Sequence, residues 1–90
     1  MNFYAPQDPK QLKKERDKAR DLKKTSWWNQ KIQAGICYYC EKKFSKDNLT
    51  MDHKVPIARG GTSSMNNIVC CCKACNTKKK SLTSVDFISS

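Results

Sequence analysis

Apolar side chains are sparse between Asp8 and Gly35, and several of them follow a helical spacing. They are Leu12, Ala19 and Leu22 on one narrow stripe, continued after a shift by Trp28 and Ile32. The shift predicts either a bend or two successive helices near residues 25–26, because one straight helix would keep a single apolar face. The stripe is too narrow to form a core, so residues 1–35 are predicted to be a basic helical arm.

The helical part of this arm is bounded by residues typical of helix ends. Asp8 can act as an N-cap, and Pro9 suits the first helical position. Gly35 is typical of the residue that ends a helix. Trp27 and Trp28 are expected to anchor the arm to the folded part and not to stack on bases, since aromatic side chains more often pack.

The rest of the chain consists of short apolar runs separated by turns. Residues 49–55 are rich in β-branched and apolar side chains and predict a strand that stops at Pro56. Residues 67–71 predict a second strand, and residues 73–82 have helical character. Residues 83–86 resemble a capping box that opens a final short turn. The predicted order of helix, strand, strand and helix indicates an α+β fold.

The length of 90 residues allows at most one small domain, and a domain of this size is usually stabilised further by a metal or by disulfides. The start of the sequence contains no apolar segment of the kind found in secretory signals. No apolar run approaches membrane-spanning length, so no membrane partner is expected. A reducing, cytoplasmic location is therefore predicted, where paired cysteines bind metal more often than each other.

The net charge of +10 bears on the kind of partner to be expected. The basic excess is divided evenly between residues 1–35 and residues 36–90. Such a charge favours a polyanion such as nucleic acid, although a merely solvated surface would carry it equally well. Charge alone does not decide between these interpretations, and the decision depends on a site.

Two Cys-x-x-Cys pairs predict a zinc site. They are Cys37 with Cys40 and Cys72 with Cys75. Zn²⁺ is commonly bound by four thiolates that come from two such tight turns. Cys71 in place of Cys72 would have the wrong spacing to Cys75. Because protein sulfurs fill all four positions, this zinc is predicted to be structural and to contribute its binding energy to folding.

The two remaining cysteines, Cys70 and Cys71, fall on the predicted second strand. Alternation along a strand predicts that one faces inward and the other outward. Both are interpreted as small buried or half-buried hydrophobic residues. No catalytic thiol is expected, because His53 is the only histidine of the chain.

The order of motifs between and around the cysteine pairs is specific. It runs Cys-x-x-Cys, Asp-His-x-x-Pro, Gly-Gly, Asn-Ile-Val and Cys-x-x-Cys-Asn-x-x-Lys over residues 37 to about 82. This order resembles the HNH endonucleases of the ββα-metal type. The resemblance places the three positions that give the family its name at His53, Asn67 and Asn76. The final Asn departs from the commoner His and is similar to the variant in phage junction-resolving endonucleases.

The residues of this segment suit phosphodiester hydrolysis. With an ordinary pKa of about 6.5, His53 can be neutral at pH 7 and take a proton from water. Asp52 and Asn76 offer hard oxygen ligands, which suit Mg²⁺ or Mn²⁺. Adjacent strand residues face opposite sides, however. The strand is therefore expected to bend or end near His53, unless Asp52 and His53 reach the site from different sides.

The resemblance also implies that the Asn67 side chain pins the loop before the second strand and helps to position His53. Asn66 is a competing neighbour, and Asn67 is preferred because it directly precedes the apolar pair Ile68-Val69.

Three basic residues are candidates for contacts with phosphates. Lys79 matches the lysine of the family motif, and Lys80 is four residues from Asn76 and would share its helix face. Arg59 lies beside a Gly-Gly pair in the predicted loop. Contacts of this kind would fix the position of a nucleic acid without reading its sequence.

Together these features predict a zinc-stabilised ββα-metal HNH domain at residues 36–90, preceded by the arm at residues 1–35. The resemblance implies a Mg²⁺- or Mn²⁺-dependent endonuclease that acts on DNA and leaves a 5′ phosphate. A homodimer or a protein partner is left open. Two alternatives remain, namely a non-catalytic zinc-containing nucleic-acid-binding module and a zinc-knuckle adaptor for proteins.

Overall fold

The computed structural model describes residues 8–89, and within this range helices lie on both sides, along the sequence, of a short pair of strands. The first seven residues of the predicted arm lie outside the described residues. The helices and strands are α1 Pro9–Leu22, α2 Ser26–Ala34, β1 Leu49–His53, β2 Ile68–Cys72, α3 Lys73–Lys79 and α4 Ser84–Ser89. Single 3-10 turns precede each strand and follow β1. The predicted α+β class is confirmed.

Two helices, and not one bent rod, form the described part of the arm. The Asp8 side chain accepts a hydrogen bond from the Lys10 backbone at 2.9 Å and begins α1. The Thr25 side chain does the same for the Trp28 backbone and begins α2. Gly35 ends α2 with a φ of 73°, and a Cβ there would lie 2.7 Å from a backbone oxygen. Glycine is therefore required at this position.

The arm shares its apolar contacts with the rest of the molecule. Trp28 is buried in the main core cluster, and Leu22, Trp27 and Ile32 pack against this cluster. The other buried members of the cluster are Cys37, Leu49, Ile68, Cys70, Cys71 and Cys72. The prediction that the tryptophans anchor the arm is confirmed. Removing a buried Trp side chain from such a core typically costs about 3–5 kcal/mol.

The strands β1 and β2 pair antiparallel, with Leu49 opposite Cys72 and His53 opposite Ile68. Helix α2 packs against β2, and helix α3 contacts both strands. Since both faces of the short sheet are covered, Cys70 and Cys71 are both buried. Their interpretation as small buried residues is confirmed, but the expectation that one of them faces outward is wrong.

The first strand ends earlier than the sequence predicts. It stops at His53 and not at Val55, because the chain turns toward the segment before β2. The Lys54 N–H donates to the Asn67 carbonyl at 2.8 Å, and the Asn67 side chain bonds the Val55 backbone. Two arrangements would let Asp52 and His53 serve one site, namely a strand that bends or ends near His53 or an approach from different sides. The structure shows a strand that ends at His53.

The helix after β2 is also shorter than predicted. It ends at Lys79, and Lys80 has a left-handed φ of 52°. Asn76 and Lys80 therefore do not share a helix face, and that expectation is wrong. The predicted final turn is confirmed as α4, whose start is capped by a hydrogen bond from the Asp86 backbone to the Thr83 hydroxyl at 3.1 Å. None of the helices within residues 8–89 is long and apolar enough to cross a membrane.

Candidate functional site

The four sulfurs of the two cysteine pairs meet at one end of the sheet. The Sγ atoms of Cys37, Cys40, Cys72 and Cys75 all lie within 4.8 Å of one another, and those of Cys40 and Cys72 are 3.9 Å apart. Tetrahedral zinc with Zn–S bonds of about 2.3 Å places its sulfurs about 3.8 Å apart. This cluster, the sulfur cage, is thus positioned to hold a metal ion such as zinc.

Backbone amides support the sulfurs of the cage. The N–H groups of Tyr39 and Cys40 point at the Cys37 sulfur at 3.4 and 3.5 Å, and the N–H of Cys75 points at the Cys72 sulfur at 3.4 Å. Burial opposes the Cys37 thiolate, but these and other N–H donors outweigh it and lower the pKa of Cys37 to about 6. Burial and neighbouring sulfurs raise the pKa of Cys75 to about 12. A bound cation would favour the thiolate form of all four.

A surface pocket of about 170 Å³ lies at the end of β1, some distance along the strand from the cage. It is lined by Met51, Asp52, His53, Pro56, Ile57, Lys79 and Lys80. We name it the His53 pocket. Although Asp52 and His53 are adjacent strand residues, both reach this pocket, because the regular strand ends at His53.

Asp52 is buried and held by two partners. Its Oδ2 accepts a hydrogen bond from the Tyr39 hydroxyl at 2.5 Å, and its Oδ1 lies 3.3 Å from the Lys79 ammonium. The same ammonium donates to the His53 carbonyl at 3.1 Å. Burial, together with Asp52, raises the pKa of Tyr39, so its hydroxyl keeps its proton. No pattern in the sequence pointed to Tyr39, apart from its place beside Cys40.

Lys79 is only 1% exposed, and its ammonium donates to Asp52 Oδ1 at 3.3 Å. A direct contact between Lys79 and a phosphate would require this ammonium to leave Asp52. Lys80 is exposed at the rim of the same pocket. Arg59 is partly buried, donates to the Ser81 carbonyl at 3.3 Å and lies 3.6 Å from Asp86.

His53 is half-buried, and its Nε2 lies 2.9 Å from the Ser63 hydroxyl. Burial lowers the pKa of His53 from its ordinary value, and the negative charges of Asp52 and Glu15 offset only part of this effect. A lowered pKa keeps the imidazole neutral at pH 7, which is the form that accepts a proton. Sequence patterns had not singled out Ser63 or Glu15.

Asn67 bonds both sides of the loop that follows β1. Its Oδ1 accepts from the Val55 N–H at 3.0 Å, and its Nδ2 donates to the carbonyls of Val55 and Thr62 at 3.1 and 2.8 Å. The neighbouring Asn66 side chain instead accepts from Ser64 at the surface. Of the two asparagines, only Asn67 thus ties the residues after His53 to the Gly-Gly loop.

Asn76 lies on α3 above β1. Its Nδ2 donates to the Thr50 hydroxyl at 3.1 Å, and Thr50 is two residues from Asp52 and on the same strand face. The amide oxygen of Asn76 takes no part in that bond. Asn76 therefore lies on the same side of the strand as Asp52, although it does not line the His53 pocket.

Comparison with known families agrees with this geometry. Residues 37–89, more than half of the chain, match the family described as HNH endonuclease. A search among curated proteins finds no match. The matched segment contains the sulfur cage, Asp52, His53, Asn67 and Asn76, and the resemblance that the motifs suggested is confirmed. The chain belongs to the HNH endonuclease family.

Proposed function

We propose that this protein is a metal-dependent endonuclease that hydrolyses phosphodiester bonds of DNA, with His53 as the general base. The observation that supports the proposal is the His53 pocket. It is lined by a carboxylate and by a histidine whose lowered pKa favours the neutral form, and both belong to the residues that match the family. Family membership indicates a nucleic-acid substrate, and the pocket supplies groups that suit its hydrolysis.

Hydrolysis requires that a water molecule lose a proton as it attacks phosphorus. His53 takes that proton, and the water oxygen forms the new bond to phosphorus. The bond from phosphorus to the 3′ oxygen breaks, and its electron pair leaves with that oxygen, which takes up a proton. The products are a 5′ phosphate and a 3′ hydroxyl, and His53 then returns its proton to solvent.

The residues beside His53 offer the ligands that a hard cation prefers. A carboxylate has about four acceptor sites, and Tyr39 and Lys79 engage one oxygen of Asp52 each. Asn76 adds an amide oxygen from α3. Asp52 and Asn76 would thus hold Mg²⁺ or Mn²⁺. Such an ion, when bound, supplies positive charge that stabilises the reacting phosphate and the departing oxygen.

Basic side chains around the pocket suit a polyanionic substrate. Lys80 is exposed at the rim, and Arg59 lies on the turn after β1. We assign them to phosphate contacts, and we assign to the basic arm at residues 1–35 additional affinity for the DNA backbone. Such contacts weaken as salt rises, because they release counterions. Lys79 is assigned a different task, which is to hold Asp52 in place.

A supercoiled-plasmid assay tests the proposal. Wild type and His53→Ala are incubated with plasmid in Mg²⁺, in Mn²⁺ and in chelator, and Ser64→Ala serves as a control outside the pocket. Cleavage that needs the divalent ion and is lost only in His53→Ala supports the proposal. Equal cleavage by wild type and His53→Ala contradicts it. Salt-sensitive DNA binding without cleavage by any variant would identify a non-catalytic binding module instead.

A further inference from the structure

Glu15 is a buried carboxylate on a helix that is otherwise covered with exposed charged residues. It is 1% exposed, whereas Lys14 and Arg16 beside it in the sequence are exposed. Its Oε2 is engaged by Gln11 at 3.1 Å and by Lys18 at 3.3 Å. A charge is rarely buried on a surface helix unless it has specific partners. The other oxygen, Oε1, accepts a hydrogen bond from Ser63, which also contacts His53.

That other oxygen holds the backbone of Ser63, 48 positions further along the chain. The Ser63 N–H donates to Glu15 Oε1 at 2.6 Å, and the Ser63 hydroxyl donates to the Glu15 carbonyl at 2.5 Å. The donor to Glu15 Oε1 is the largest cause of the lowered pKa of Glu15, whose carboxylate is therefore kept ionised. Two hydrogen bonds to one residue fix both its backbone and its side chain.

The orientation of the Ser63 hydroxyl determines which nitrogen of His53 carries the proton. A hydroxyl has one hydrogen, and that of Ser63 is directed at the Glu15 carbonyl. Toward His53 Nε2, 2.9 Å away, the Ser63 oxygen can therefore only accept. The Nε2 atom must carry the hydrogen, and Nδ1 must carry the lone pair in the neutral ring.

We propose that Glu15 and Ser63 are positioning residues that orient His53 and fix it in the Nε2–H form, so that Nδ1 accepts the proton from water. This inference rests on the proposed role of His53 as general base. It extends the catalytic site to α1, which lies outside the family segment of residues 37–89. The N-terminal helix thus contributes to the chemistry as well as to DNA affinity.

The loop that carries Ser63 is held from two sides, as a positioning device requires. The Asn67 side chain bonds the Thr62 carbonyl from the family segment, and Glu15 bonds Ser63 from α1. Gly61 packs so closely that a Cβ there would lie 1.7 Å from the Val55 oxygen. A loop fixed at consecutive residues keeps the Ser63 hydroxyl at a constant distance from His53.

The test uses Ser63→Ala, with Ser64→Ala as the matched control on the next residue and Ser63→Thr to restore the hydroxyl. Because the chain has one histidine, the ¹⁵N imidazole spectrum of the zinc-loaded protein reports His53 without assignment. Recorded at pH 8, it should show the Nε2–H form in wild type and in Ser64→Ala. Ser63→Ala should show an increased Nδ1–H population, and Ser63→Thr should return toward wild type.

Cleavage kinetics give the second readout. Ser63→Ala and Glu15→Ala should lower kcat roughly 10-fold to 100-fold with little change in KM, the range usual for groups that orient a site. Glu15→Gln keeps an acceptor for the Ser63 N–H and should retain most of the activity. Wild type in the Nδ1–H form, or a spectrum unchanged in Ser63→Ala, would overturn the inference. A correct spectrum without any cleavage by wild type would overturn the proposed function instead, and the catalytic part of this inference with it.

Discussion

The sulfur cage and the His53 pocket lie on the same two strands but are assembled in different ways. The cage takes its four side chains from two tight turns, and the pairing of β1 with β2 brings the turns together. The pocket depends on single long-range contacts, from Lys79 on α3, Tyr39 beside the cage and Glu15 on α1 through Ser63. The cage is thus formed by two similar local turns, whereas the pocket is formed by side chains from distant parts of the sequence.

This difference indicates how the two sites should respond to substitution. A structural metal site supplies folding energy to a chain this small, so its loss should affect the whole molecule. A pocket made of individual hydrogen bonds should lose function or local stability while the cage keeps its metal. Zinc content, measured for the cage variant and for the Lys79 variant, separates the two sites.

Loss of the cage should have the largest effect. Cys72→Ser removes one of four sulfurs, and structural zinc contributes apparent binding energies of about 10–16 kcal/mol in small zinc domains. We expect the variant to lack zinc and a cooperative thermal transition. Cys70→Ala, a buried cysteine outside the cage, is the matched control and should keep both. Circular dichroism melting with zinc analysis makes the comparison, and a folded, metal-free Cys72→Ser protein would show that the cage is dispensable.

Next in size is the buried ion pair of the pocket. Lys79→Met leaves the Asp52 carboxylate buried without its cation, and breaking such a pair typically costs about 3–5 kcal/mol. The exposed Lys78→Met change is the control and should be near neutral. Adding Asp52→Asn to Lys79→Met should recover part of the loss, because the two residues interact. Urea unfolding measures the stability of wild type and of these three variants.

Zinc content makes this test a comparison of the two sites. Lys79→Met should still bind one zinc per chain under native conditions, because Lys79 makes no contact with the cage sulfurs in its described bonds. Loss of zinc in Lys79→Met would show that the cage and the pocket form one cooperative unit. The cage would then not keep its metal when the pocket is disrupted.

A smaller effect is expected at Asn67. Asn67→Ala removes three side-chain hydrogen bonds to the Val55 and Thr62 backbone and leaves these groups to find water, which we expect to cost about 1–3 kcal/mol. Asn66→Ala is the matched control, since that side chain bonds only a surface serine among its described contacts. Equal denaturation midpoints for the two variants would argue against a pinned loop.

The smallest effect is a pH dependence at Glu15. The Ser63 N–H holds the pKa of Glu15 below its ordinary value of 4.5 despite burial, so the folded state is stabilised above that pH. This stabilisation is lost as pH falls through the lowered folded value. Glu15→Gln does not titrate, so the stability difference from wild type, about 1 kcal/mol at pH 7, should shrink below pH 4.5. Urea midpoints between pH 7 and pH 3 measure it, and a difference constant with pH would contradict the assigned bond.

The cage could be predicted from the sequence because its signal is local. Cys37 and Cys40 fit one turn, Cys72 and Cys75 fit another, and paired thiols in a small basic domain indicate zinc without further information. The ends of the helices in the arm were predictable for the same reason. Asp8, Thr25 and Gly35 act on backbone groups a few residues away.

The long-range contacts of the His53 pocket could not be predicted. Glu15 is one of several charged residues on α1, and only its partner 48 positions away distinguishes it from the exposed ones. Lys79 has the spacing of a phosphate contact, yet the end of α3 at this residue turns its ammonium onto Asp52. Contacts of this range leave no periodic pattern in a single sequence.

The most direct test of His53 as the general base is the single-turnover rate of DNA cleavage by wild type and His53→Ala, at equal zinc content and equal melting temperature. We predict a loss of at least about 100-fold in His53→Ala, the usual contribution of a general base, with the zinc of the cage retained. Equal rates in two folded, zinc-loaded proteins would contradict it, because the pocket would then carry no base.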